Sequence, residues 1–124
     1  MKRIILLAGV LALLSSAAMA GNHEIKPKMP NLSGIGIGKK LYDQNCASCH
    51  GVSLKGTNQG PPFLHRVYHP NHHRDSVFHT AVQRGVRQHH WKFGNMQPVK
   101  RVRRDMVASM VEYVRFMQKQ AGIF

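Results

Sequence analysis

The chain has 124 residues, 18 Lys and Arg against 5 Asp and Glu, and a net charge of +13 with histidines neutral. That length suits one small domain, in which apolar burial is only marginally sufficient and a disulfide, metal or cofactor often completes the core. With 2 cysteines it is no disulfide scaffold, and its charge points to acidic proteins, anionic lipid or nucleic acid as partners.

At the amino terminus, Lys2 and Arg3 precede an apolar run from Ile4 to Leu14 and the small-residue site Ala18-Met19-Ala20. This is the order of a secretory signal peptide, residues 1–20. The run falls short of the ~20 apolar residues that a spanning helix needs, so cleavage is expected rather than retention as an anchor. Export argues against nucleic acid and predicts a soluble periplasmic protein, with peripheral contact to an anionic membrane as a further use of the charge. Residues 21–33, GNHEIKPKMPNLS, have two prolines and no apolar periodicity and read as a flexible leader. The domain is expected over 34–124.

From Gly38 to Cys49, the spacing of Leu41, Tyr42, Cys46 and Cys49 suits a short amphipathic helix. Residues 51–64, GVSLKGTNQGPPFL, form a loop. Between His72 and Arg87, Val77, Phe78, Ala81 and Val82 share a helical face, with Gly85 placed as a C-cap. A second loop runs from Gln88 to Val99. Arg103 to Gln120 is the clearest helix, because Val107, Met110, Val111, Val114 and Met117 repeat at helical spacing and Gly122 stops it. No alternating strand pattern is present, so the domain is predicted to be all-α.

Both cysteines lie in CASCHG, residues 46–51. A thioredoxin-like redox pair needs a βαβ setting. A structural zinc site needs four ligands, and a disulfide across two residues closes too small a loop to stabilise much. C-x-x-C-H is instead the signature of covalent haem attachment. At helical spacing Cys46 and Cys49 project from one face toward two vinyl groups at one haem edge, and His50 reaches the iron. One covalent haem c would supply an apolar plate around which short helices pack. For the opposite iron ligand Met96, in FGNMQP, is the candidate. It lies on a loop between Gly94 and Pro98, and a thioether suits ferrous iron and raises the reduction potential. Met106, Met110 and Met117 lie on the last helix and read as core filling.

These motifs resemble those of a class I c-type cytochrome, a small monohaem electron carrier with His/Met-ligated iron. The resemblance covers most of Gly34 to Gln120. GKKLYDQNCASCHG is similar to the family's first helix and haem motif, GPPFL to its glycine-proline loop, FGNMQP to its methionine-ligand loop and MVEYVRFM to its closing helix. It implies the cytochrome c fold, short helices wrapped around one covalently bound haem, with Gly38 and Tyr42 meeting Tyr113 and Val114 where the first and last helices cross. It also implies that a proline carbonyl, by position Pro61 or else Pro62, accepts from the second nitrogen of His50. Trp91 would bond a haem propionate or simply pack beside the haem. Two features depart from the pattern. Gln97 separates Met96 from Pro98, where the family often has the proline directly. Seven histidines, His65, His69, His72, His73, His79, His89 and His90, fall between the first loop and the early part of the second.

Imidazoles bind copper, zinc and iron, but no spacing among these histidines matches a closed metal site. They are read as surface groups that titrate, with His89 or His90 as alternative iron ligands to Met96. The expected function is one-electron transfer by an exported monomer that is not an enzyme. It would dock on acidic redox partners such as a terminal oxidase or a copper protein. The alternatives are a haem protein with an open sixth site, acting as an enzyme or gas sensor, and a metal-handling protein that uses the histidine-rich segment.

Overall fold

The computed structural model describes residues 32–124; the expected signal peptide and all but the end of the expected leader lie outside the described residues. Four helices are described: α1 (Leu32–Asn45), α2 (Ala47–His50), α3 (Asp75–Arg84) and α4 (Arg104–Gln120), with a 3₁₀ turn at Arg66–Tyr68. Among the described residues the β pairing is limited to an isolated bridge between Val86 and Met96, so the all-α expectation holds. No helix among them is long and apolar enough to cross a membrane.

α1 starts ahead of both Gly34 and Gly38, where the domain and its first helix are expected from the sequence. Glycines at 34, 36 and 38 weaken the local helical preference, and packing on α4 overrides it. Gly38 is the point of closest approach. A Cβ there would overlap the Ser109 carbonyl of α4 and lie 2.9 Å from Tyr113 Cβ. One turn on, Tyr42 is fully buried. Its ring centroid is 5.5 Å from that of Tyr113, and its hydroxyl donates to the Gly51 carbonyl at 2.8 Å. The helix crossing is thereby tied directly to the cysteine motif.

α4 carries most of the core. Val107, Met110, Val111, Tyr113 and Val114 are buried, and so is Gln118 at 0% exposure. A buried amide must be hydrogen-bonded. Gln118 Nε2 donates to the Phe63 carbonyl at 2.8 Å, and its Oε1 accepts from Arg115 Nη1 at 2.7 Å. Arg115 also donates to Asp75 Oδ1 at 2.7 Å, to the Tyr68 carbonyl at 2.6 Å and to the His73 carbonyl. One α4 residue therefore pins the segment from Tyr68 to the start of α3.

α3 begins at Asp75, later than the His72 limit of the sequence pattern, with an acid in its first turn and Arg84 in its last; both favour the helix dipole. Gly85, with φ of +75°, ends it as expected and leaves room for the Met96 carbonyl to pass. In the loop after α2, Leu54 adopts φ of +58° although it is not glycine. That conformation costs roughly 1–2 kcal/mol. Leu54 is 0% exposed, and burying a leucine returns about 1.5–3 kcal/mol, so burial offsets the strain.

Gly38→Ala is expected to destabilise the domain by about 1–3 kcal/mol, the usual cost of overpacking, lowering the thermal midpoint by roughly 4–24 °C at this size. Melting followed by circular dichroism checks it; an unchanged midpoint would mean that the helices do not need contact at this position.

Candidate functional site

A cavity of about 720 Å³ opens between α3, α4 and the two loops, within the size range of small-molecule and cofactor sites. Tyr42, Cys46, His50 and Pro61 border it on one side. Val77, Phe78, Val82, Val107, Met110 and Val111 form apolar walls, and Met96 and Trp91 stand on the second loop.

The cysteine motif is not one continuous helix. α1 stops at Asn45, whose side-chain amide donates to the Leu41 carbonyl at 2.8 Å. Cys46 turns the chain with φ of −126°, and α2 restarts at Ala47. The Cys46 carbonyl accepts from Cys49 N at 3.2 Å and from His50 N at 2.9 Å, so Cys46 and His50 keep helical register across the turn. Cys46 Sγ lies 3.7 Å from Met110 Sδ at the cavity wall. Cys49 does not border the cavity; its Sγ stands 3.7 Å from Gln59 Oε1. Both thiols are free and fit a C-x-x-C-H attachment site, Cys46 at the cavity and Cys49 beside Gln59. Burial pushes the Cys46 thiol up to about 11, with the Cys49 charge adding to the effect. It holds its proton at neutral pH, which is unsuited to thiol–disulfide exchange.

His50 is 8% exposed. Its Nδ1 donates to the Pro61 carbonyl at 2.9 Å, which makes Pro61 rather than Pro62 the acceptor and leaves the lone pair on Nε2. The loop is folded to deliver that carbonyl. Gly56 N donates to the His50 carbonyl at 2.8 Å, and Thr57 Oγ1 donates to the Cys49 carbonyl at 2.6 Å. Phe63 stacks on the imidazole with centroids 4.1 Å apart and planes at 16°. The ring is held on one edge and one face.

Met96 is carried by a braced loop. Its N–H and carbonyl pair with Val86 at 2.9 and 3.0 Å, and Val99 N donates to the Val82 carbonyl at 2.8 Å. Between these, Gln88 N donates to Asn95 Oδ1 and Gly94 N to Gln88 Oε1, both at 3.0 Å. Pro98 lies against Gly85, so the inserted Gln97 fits within a two-stranded turn. Trp91 stacks parallel on Tyr68, with centroids 5.9 Å apart. Burial pushes the Tyr68 phenol up to about 12.

The histidines divide into classes that spacing did not reveal. His65 and His69 accept backbone N–H groups at Nδ1, from Val67 at 3.2 Å and Asn71 at 3.1 Å. His73 Nδ1 donates to the Val67 carbonyl at 2.7 Å, and His89 Nδ1 to the Arg87 carbonyl at 2.9 Å. His72, His73 and His90 come together at the cavity mouth. Sequence reading also passed over Phe63, Arg115 and Gln118. Gln118 was the visible one, because it extends the 107–111–114 stripe by one helical step although it is polar.

The cavity is bordered by the Cys46 thiol, with Cys49 three residues on, by one imidazole with a free Nε2 and by one thioether, against apolar walls. Those are soft and borderline ligands of the kind that hold iron in a flat macrocycle, and the residues fit a haem. A family model described as Cytochrome c matches residues 35–118. Comparisons with curated proteins and with solved structures returned no match.

Burial lowers the His50 pKa below its ordinary value, only partly opposed by the Pro61 bond, and His73 is lowered chiefly by burial as well. Because the fold holds these rings neutral, proton uptake favours the unfolded chain. Stability is retained above the unfolded value of ~6.5 and declines as pH falls below it. Denaturant midpoints at pH 7.5 and 5.5 are expected to show the loss; a midpoint insensitive to acid over that range would contradict neutral burial.

Proposed function

Because the chain belongs to the cytochrome c family, whose cofactor is covalent haem c, we propose that it is a one-electron carrier whose iron sits between His50 and Met96. Cys46 and His50, from the cysteine motif, and Met96, from the second loop, border one largely apolar cavity; this convergence carries the reading. The bound haem supplies the redox couple, and the protein sets ligands, potential and docking surface. Cys46 and Cys49 are the covalent anchors. The Pro61 carbonyl fixes the tautomer and plane of His50 and strengthens its Nε2 as a donor. The Met96 thioether raises the potential relative to a second imidazole, and the walls from α3 and α4 keep water away.

With His50 and Met96 both holding the iron, no position would be left open to a substrate. No nucleophile with an adjacent base borders the cavity, so the reading is a carrier rather than an enzyme. The surface is suited to an acidic partner. Asp43, Asp75 and Asp105 are each paired with a neighbouring Lys39, Arg115 or Arg103, which leaves most of the positive charge unmatched. Export by a signal peptide at residues 1–20 would put this surface in the periplasm, where an acidic oxidase or copper protein is the class of partner that it fits, met by a monomer. Steering of this kind weakens with salt.

Met96→Ala is expected to retain covalent haem, to open the sixth position to carbon monoxide in the ferrous form and to lower the potential. Optical spectra with and without carbon monoxide, with a redox titration, check this. A variant that keeps the parent's spectrum and potential would return Met96 to an ordinary loop residue and leave His89 or His90 as the ligand. Replacing Cys46 and Cys49 together by Ala should remove the haem-stained band from denaturing gels; a surviving band would sink covalent attachment at this motif.

A further inference from the structure

The haem reading gives no role to the triad at the cavity mouth, where one ring nitrogen of each of His72, His73 and His90 lies within 4.8 Å of the others. We propose that this triad binds one divalent transition-metal ion of the copper–zinc class, separate from the haem iron, with Cu²⁺ held most tightly.

The geometry is close to that of a bound site. His72 Nε2 and His90 Nε2 face one another at 3.3 Å. Two nitrogens on one tetrahedral zinc, at ~2.0–2.1 Å from the metal, stand roughly 3.3 Å apart. An ion can therefore take the place of the shared proton with little movement of either ring. The third ligand is oriented from behind. The His73 Nδ1–H is held by the Val67 carbonyl at 2.7 Å, the backbone partner typical of metal-ligating histidines, and this leaves Nε2 with its lone pair. His65 and His69 are the contrast. Their Nδ1 atoms accept backbone N–H groups, so their Nε2 atoms carry the proton and offer no lone pair.

Both segments that bring the triad together are braced. His72 N and His73 N each donate to the His69 carbonyl at 2.9 Å, and Arg115 grips the His73 carbonyl. His90 is on the loop closed by the Gln88–Asn95 and Gly94–Gln88 bonds. The site is thus preorganised from two directions rather than assembled from a mobile tract.

The ligand chemistry selects the ion. Three imidazoles with no carboxylate or carbonyl donor suit copper, zinc and nickel, not calcium or magnesium. A chain of net charge +13 repels cations, so only ions that bond strongly to nitrogen can overcome that field. Among these the affinity order places Cu²⁺ above Zn²⁺. Three protein ligands also leave a coordination position open to water or to a ligand from outside.

Test the haem-loaded protein, washed with chelator, by titrating with Cu²⁺ and separately with Zn²⁺ under calorimetry, and then measure bound metal after dialysis. A His23→Ala background removes the chelate that Gly21-Asn22-His23 would make with a free amino terminus. We expect one ion beyond the haem iron, with Cu²⁺ displacing Zn²⁺. His72→Ala and His90→Ala should each weaken binding at least ~100-fold, and nitrogen hyperfine structure should mark the copper resonance. His90 is exposed, so its variant does not threaten folding. His65→Asn and His69→Asn keep an acceptor for their backbone N–H groups and should bind as the parent does. Several weak ions, unaffected by either triad variant, would overturn the proposal. So would loss of the sixth haem ligand in His72→Ala or His90→Ala, which would assign the ring to the haem. Failure of Met96 as ligand would leave the metal stoichiometry untouched, so the two readings fail separately.

Discussion

The arrangement depends on how closely α1 and α4 can approach. Gly38 has no side chain to hold the helices apart, so the Tyr42 and Tyr113 rings pack beside the crossing. From there the Tyr42 hydroxyl reaches Gly51 at the end of the cysteine motif. The position of His50 against the α4 wall is therefore a consequence of a helix contact several residues earlier in the chain. Small domains have little apolar area to spare, and here the contact both forms the core and aims the motif.

α4 organises the remainder through two polar residues that would be costly to bury alone. Gln118 holds Phe63, which stacks on His50, while Arg115 holds the carbonyls of Tyr68 and His73 and the carboxylate of Asp75. A guanidinium can serve several acceptors at fixed angles, which a lysine cannot. The same two residues thus steady the imidazole side of the cavity and the histidine-bearing turn at its mouth. The Arg115–Gln118 hydrogen bond joins the two sets of contacts.

The cavity itself follows from this economy. Val82, Val107, Met110 and Val111 turn apolar side chains toward the cavity. A flat apolar cofactor tethered at the cysteines fills it and completes the core. In the family to which the chain belongs, cofactor binding and folding are accordingly parts of one energetic problem.

Much of the candidate site was legible in residue order, because its chemistry is local. C-x-x-C-H needs its three residues adjacent, Met96 needs a loop, and the α4 stripe repeats at the helical period, so each leaves a mark in a short window. The start of α1 was misjudged because glycines hide a helix whose stability comes from its partner. The break between α1 and α2 at Cys46 left no mark in the spacing, because C-x-x-C-H reads as one helical step. The histidines were the least legible. Spacing treated His65, His69, His72, His73, His89 and His90 alike, whereas backbone donors and acceptors sort them by tautomer, and folding brings His90 to His72 across a long sequence interval. Which groups chemistry needs was written locally in the sequence. Which of them meet, and with which nitrogen free, was decided by tertiary contacts, because hydrogen bonds between distant segments have no period for a sequence to display.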